Sequence, residues 1–156
     1  MPNLNPALQI RVASETDALE VMACVHSAYA HYEQRIGCPP YPMMQNYQDV
    51  IRDSEVHVAL LDNSLCGILV LSQGPEGFLL DNIAVNPNAQ GKGIGKVLMG
   101  LAEQRARSAG FDSIYLYTNE LMFENRSLYA RLGYVEYDLR RENGLSRVYM
   151  RKALSH

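Results

Sequence analysis

Apolar positions recur along this chain with two different periods, and the switches between them mark out the elements. Ala7 to Val12 reads as a short strand. Ser14 then stands as an N-cap with Asp17 three positions on, an approximate capping box. Ala18, Leu19, Met22, Val25, His26 and Tyr29 follow on one helical face, which makes His26 a core histidine. The segment HYEQRIGCPPYPMM predicts a loop, because Gly37, Pro39, Pro40 and Pro42 interrupt regular helix. Met43, Met44, Tyr47, Val50 and Ile51 suggest a second, short helix.

From Val56 the period drops to two. VHVALL, DNS and LCGILVL read as strand, tight turn and strand. Gln73-Gly74-Pro75-Glu76-Gly77 makes another turn, and FLLDNIAV (78–85) completes an antiparallel meander. Behind a glycine-rich loop comes a long helix carrying Ile94, Val97, Leu98, Leu101, Ala102 and Ala109, with Gly110 at its C-terminal stop. SIYLY is the next strand. A short helix around Arg126 to Leu132 stops at Gly133, and strands Tyr134–Arg140 and Ser146–Met150 flank the hairpin signal Asn143-Gly144. The order β-α-α-β-β-β-α-β-α-β-β predicts an α/β (α+β) fold. Its sheet is single, mixed and mostly antiparallel, with seven strands and helices on both faces. No repeat, low-complexity tract or shift of composition interrupts the chain, so residues 1–156 read as one domain.

Composition narrows the function. A chain of 156 residues buries roughly 70% of its unfolded surface, enough for a core without staples. Fourteen basic against 17 acidic residues, net −3, argue against a partner held by phosphate neutralisation, so no nucleic acid is expected. Cys24, Cys38 and Cys66 form no CxxC pair and have no His cluster nearby. Neither a disulfide framework nor a metal site is expected, and a reducing, cytoplasmic setting fits. No apolar run approaches ~18 residues, and MPNLNPALQI has neither a basic leader nor an apolar core, so no membrane association is expected.

The stretch VNPNAQGKGIGKVLMG (85–100) carries the most chemistry. Gly91, Gly93 and Gly95 lie between a strand and a helix, where bare N–H groups converge on the positive helix end. Lys92 and Lys96 add charge, which suits a phosphate or pyrophosphate; a tight reversal of the chain would use the same glycines. A Walker A loop needs Lys-Ser/Thr, whereas Lys96 precedes Val97. The dinucleotide fingerprint needs G-x-G-x-x-G in a parallel sheet, whereas this is G-x-G-x-G after a meander.

Gln90-x-x-Gly93-x-Gly95, directly after a strand ending in IAV, resembles the acetyl-CoA loop of the GNAT superfamily of N-acetyltransferases. ENRSLYARLGY (124–134) is similar to that family's second motif, a short helix with a tyrosine that ends in Leu-Gly-Phe/Tyr. The element order matches over nearly the whole chain. The resemblance implies acetyl-CoA as co-substrate and no metal. The main chain of Gln90, Gly91, Lys92, Gly93, Ile94, Gly95 and Lys96 would hold the pyrophosphate. Ile83, Ala84 and Val85 would pair with the pantetheine arm as an added strand, with a main-chain N–H there facing the thioester oxygen. Strands 78–85 and 113–117 would splay apart to admit the thioester. Asn125 or Asn119 would bond the pantetheine, Asn125 being favoured, although either asparagine also suits a helix cap. The resemblance also leaves room for a homodimer.

Acyl transfer from a thioester needs a neutral amine, a stabilised oxyanion and a proton for the thiolate. Tyr129 occupies the motif's tyrosine position. A phenol holds its proton at neutral pH and can share it with departing sulfur; an aromatic packed under the sheet is the competing reading. Alternation puts Asp81 on one face with Leu79, Ile83 and Val85, where burial would raise its pKa toward base chemistry. A substrate-ammonium anchor or a partner for local backbone is equally compatible. His57 reads as structural. Tyr29, Tyr32, Glu33 and Arg35, with His31, lie where the family walls its acceptor site.

These features imply transfer of an acetyl group from acetyl-CoA to a primary amine of a small molecule or peptide, by direct attack in a ternary complex. The alternative is a non-catalytic acyl-CoA-binding or regulatory module. The amine itself is not legible.

Overall fold

Seven strands form one mixed sheet in the order β1-β2-β3-β4-β5-β7-β6, in a computed structural model that describes residues 7–155. β1 (Leu8–Val12), β2 (Glu55–Leu61), β3 (Ser64–Gly74) and β4 (Gly77–Val85) run antiparallel to their neighbours. β5 (Ser113–Asn119) lies parallel to β4, and β7 (Leu145–Ala153) joins β5 to the edge strand β6 (Val135–Glu142). The expected sheet and element order are therefore present. The part of MPNLNPALQI before Ala7 lies outside the described residues. No described helix is long and apolar enough to cross a membrane.

Helices cover both faces. α1 (Ala18–Ile36) and α2 (Tyr47–Asp53) bury Val21, Val25, Tyr29 and Tyr47 against Val58, Ile68 and Val70 of the sheet. α3 (Ile94–Ser108) and α4 (Phe123–Arg131) cover the other face, where Leu98, Ala102 and Tyr129 meet Leu69, Leu80, Ile114 and Met150. Each fully buried aliphatic side chain contributes roughly 1.5–3 kcal/mol, so these two layers hold the sheet between them. At the start of α1 the Asp17 carboxylate accepts the Ser14 N–H at 2.8 Å, the returning half of a capping box. The same carboxylate takes both Arg11 nitrogens, at 2.8 and 3.0 Å. That guanidinium holds the Asp17 pKa down at about 2.

The first helix departs from expectation in two ways. It runs through His31–Ile36 and stops only at Gly37, whose φ of 89° and N–H to Glu33 O make it the left-handed cap. The prolines beyond it shape the connection to α2 without shortening α1. Its buried face is also rotated: Leu19 is 81% exposed, and His26 is exposed, its Nε2 2.9 Å from the Met43 carbonyl. His57 is buried and pairs with Glu55 at 2.7 Å. Cys24, Cys38 and Cys66 are all free.

Two irregularities in β4 position the site. Val70 stands opposite Asn82 and Leu71 opposite Leu80, so Asp81 is an extra, bulged residue. Leu80 and Ile83 pack on the α3 side while Ala84 packs on the α1 side, where Asn82 meets Tyr29. Consecutive residues Asp81 and Asn82 thus share one face. Asp81 keeps company with Leu79 but not with Ile83 and Val85, a correction to simple alternation. The second irregularity is the parallel seam, where β4 and β5 pair only at Phe78–Ile114 and Leu79–Tyr115. Beyond Leu79 the strands part, as expected, and open a gap.

Candidate active site

Two cavities meet in that gap. The larger, about 790 Å³, runs from the glycine loop between α1 and α4 to the strand end Ile83–Val85. The smaller, about 60 Å³, lies under the 3-10 turn Tyr41–Met44 and contains Asp81. Tyr29, Ile83, Asn125 and Tyr129 line both, so a molecule in one reaches a molecule in the other at this junction.

The larger cleft is a surface of main-chain donors. Gly91 and Gly93 adopt φ of 82° and 81°, a region that other residues enter at a cost of roughly 1–2 kcal/mol. A Cβ on either would meet nothing within 4 Å, so the loop is open at both glycines. The first intrahelical bond of α3 is Val97 N–H to Gly93 O at 3.1 Å, which leaves the N–H groups of Ile94, Gly95 and Lys96 without helical acceptors. With the helix dipole, this is a cradle for an anion. Along β4, Asn86 N–H returns to Cys66 O. Alternation therefore turns the N–H and C=O of Ile83 and Val85 toward the gap. Their carbonyls accept from Tyr29 Oη at 3.2 Å and Gln90 Nε2 at 3.2 Å. The two N–H groups face the cleft as donors.

Tyr129 is buried, and no described residue hydrogen-bonds its hydroxyl, which opens on the junction. Burial pushes its phenol well above the ordinary value, so it keeps its proton. Burial also raises the Asp81 carboxyl, and the Arg147 guanidinium partly offsets the rise. Asn82 locks the floor of the junction: its Oδ1 accepts from Tyr29 Oη at 2.8 Å and its Nδ2 donates to Tyr47 Oη at 3.3 Å.

The remaining expected residues divide. Gln90, Gly91, Gly93, Ile94, Gly95 and Lys96 line the larger cleft, with Ala84 and Val85. Lys92 is exposed and lies off its wall. Tyr32 faces that cleft and donates to Asn125 Oδ1 at 3.4 Å. Asn119 lines only the smaller cavity, and its Oδ1 accepts the Leu121 N–H. Glu33 and Arg35 line neither cavity, a correction to their expected place at the acceptor site. Arg35 is instead committed to Glu124 through two hydrogen bonds and stands over the rings of Tyr32 and Phe123, clasping α1 to α4. Sequence reasoning missed Asn82, Tyr41, Tyr117 and Arg147. For Asn82 a signal existed, since two adjacent polar residues inside an apolar strand break the period of two.

The mixed sheet thus parts at one parallel seam, with a helix-capped anion cradle and a buried tyrosine at the parting. The chain belongs to the acetyltransferase (GNAT) family, whose model matches residues 20–134. It is 30% identical over 94 residues to the uncharacterized N-acetyltransferase YvbK of Bacillus subtilis (strain 168). That match covers 60% of this chain and 61% of the relative. Among solved structures, the PaiA N-acetyltransferase of Thermoplasma acidophilum, in complex with coenzyme A, aligns at a TM-score of 0.77 and 21% identity, covering 94% of this chain and 98% of that one. The ribosomal-protein-S18-alanine N-acetyltransferase of Escherichia coli aligns at 0.75 and 17% identity, covering 96% and 95%.

Proposed function

We propose that this protein transfers the acetyl group of acetyl-CoA to a primary amine by direct attack within a ternary complex. The observation that carries the reading is the junction: an anion cradle and an unpaired strand edge lead to it from one side, a carboxylate-bearing pocket from the other. The cradle at Gln90–Lys96 suits a pyrophosphate, and the edge at Ile83 and Val85 suits an amide-bearing arm. The acceptor amine loses a proton toward Asp81, and its lone pair attacks the thioester carbon. Negative charge then grows on the carbonyl oxygen, where a main-chain N–H of the Ile83–Val85 edge stabilises it. The C–S bond breaks as Tyr129 gives its proton to the leaving sulfur, and the second proton of the amine nitrogen, shed as the intermediate collapses to the amide, restores the phenol.

Mixing the protein with acetyl-CoA and a panel of primary amines, then measuring free thiol, tests this. Thiol release that depends on the amine is expected. Saturable acetyl-CoA binding with no release across a broad panel would instead make the protein an acyl-CoA-binding module.

A further inference from the structure

The smaller cavity carries two opposite charges, and only one is accounted for by an amine. Arg147, on β7 opposite Asn119 of β5, lines the same pocket as Asp81. Its side chain is 13% exposed. Its guanidinium stands over Tyr117 at 5.0 Å and Tyr41 at 5.6 Å, so two rings fix its plane. Among the described residues its one carboxylate contact is Glu142, 3.5 Å away at a single oxygen that also accepts the Tyr149 hydroxyl at 2.7 Å, while Asp81 lies near enough to feel its charge. No described residue gives Arg147 the close two-pronged partner that Arg35, Arg11 and Arg140 all have. A rigid fork that is mostly buried, with its strongest contacts unmade, matches the geometry of a bound oxyanion.

We propose that the acceptor is a compact zwitterion, a small amino acid whose ammonium end points to Asp81 and the junction while its carboxylate pairs with Arg147. The proposal rests on the acetyltransferase reading and names its substrate class. Size agrees with it: the cavity is small, about 60 Å³, so a compact acceptor suits it better than a bulky one. Carboxylate, the smallest oxyanion of the class, fits such a space better than a tetrahedral phosphonate. Tyr41 comes from the proline-rich connection after α1 and Tyr117 from β5, so the carboxylate subsite is assembled from three distant segments.

The experiment compares matched acceptors in the thiol-release assay with the whole protein. Glycine and β-alanine are each run beside their amides and their decarboxylated amines, with aminomethylphosphonate in parallel. The amino acids should be preferred over their decarboxylated amines by at least about 30-fold in kcat/KM, the scale of a charge-assisted hydrogen bond. Arg147→Gln and Arg147→Lys should collapse that ratio, the Lys variant less fully because it keeps charge without the fork. A general loss of folding or turnover cancels in the ratio, and the acetyl-CoA melting shift reports folding separately. Equal or better use of the decarboxylated amines, preference for the phosphonate, or an unchanged ratio in both variants overturns the assignment while leaving the transferase reading intact. Absence of thiol release with every amine overturns both.

Discussion

The two cavities are built from different materials. The larger is made of main chain: glycine N–H groups, the first turn of α3 and the unpaired edge of β4. The smaller is made of side chains: Asp81, Arg147 and four tyrosines, drawn from α1, the proline-rich connection, β4, β5, α4 and β7. A main-chain surface depends on backbone geometry and tolerates side-chain change outside the glycines. A side-chain surface can be rewritten one residue at a time. Under the proposed function, the division puts the acetyl donor on one side of the junction and the acceptor on the other, with Tyr129 between them.

Tyr129→Phe should separate chemistry from both binding surfaces most strongly. The ring still packs against Tyr134, 5.9 Å away between centroids, while kcat falls on the order of 10²–10⁴-fold. Acetyl-CoA affinity, measured by calorimetry, should change little. A stability loss of ~1 kcal/mol with near-normal kcat would assign the hydroxyl to the core.

Gly93→Val attacks the main-chain surface alone. At about one hundred times its Kd, acetyl-CoA should raise the wild-type melting temperature by roughly 5–10 °C. The variant should lose that shift, because its side chain stands before the donors, and should also melt lower from the cost of φ 81°. An unchanged ligand shift would remove the loop from the binding surface.

Asp81→Asn attacks the side-chain surface. If Asp81 takes the amine's proton, activity should fall mainly on the acidic limb, which lies above the usual carboxylate range because burial raises the pKa. If it only anchors the ammonium, KM rises and the limb stays. Stability should move the opposite way. A raised folded pKa means the ionised group opposes folding above its unfolded value of 3.8. The variant should therefore melt higher at pH 8, with the gain vanishing below pH 4.

Asp17→Asn, remote from both cavities, should give the smallest effect. Asp17 stabilises the fold above its unfolded value of 3.8, and this is lost as pH falls through about 2. Loss of the cap should cost on the order of 1 kcal/mol at pH 7. The difference should disappear near pH 2, and activity per folded molecule should hold throughout.

The same difference in materials decided what the sequence could disclose. A main-chain cradle demands glycines at fixed spacing, so Gln90-x-x-Gly93-x-Gly95 announces it, and the expected element order followed from period and turn signals. The side-chain pocket has no local signature, because Tyr41, Asp81, Tyr117 and Arg147 become neighbours only after the sheet forms. Asp81 was legible as a carboxylate in an apolar strand, but its face was not. A bulge adds one residue, and period-two reasoning carries no such insertion. The end of α1 was misjudged because proline marks where helix cannot be, whereas Gly37 marks where it stops.

The seam between β4 and β5 has a mechanical consequence. Two residue pairs, Phe78–Ile114 and Leu79–Tyr115, are all that stitch the meander β1–β4 to the three-stranded unit β5–β7 by strand pairing. Side-chain packing makes the rest of the join: α3 lies across β3, β4 and β5, and the Arg35–Glu124 clasp fastens α1 to α4 across the open side. Local opening at the seam has to break that packing but leaves the ladders on either side of it intact. If the pantetheine arm pairs along Ile83–Val85 as proposed, it adds main-chain hydrogen bonds where the seam has none. Amide exchange should then slow in β4 and β5 when acetyl-CoA is added.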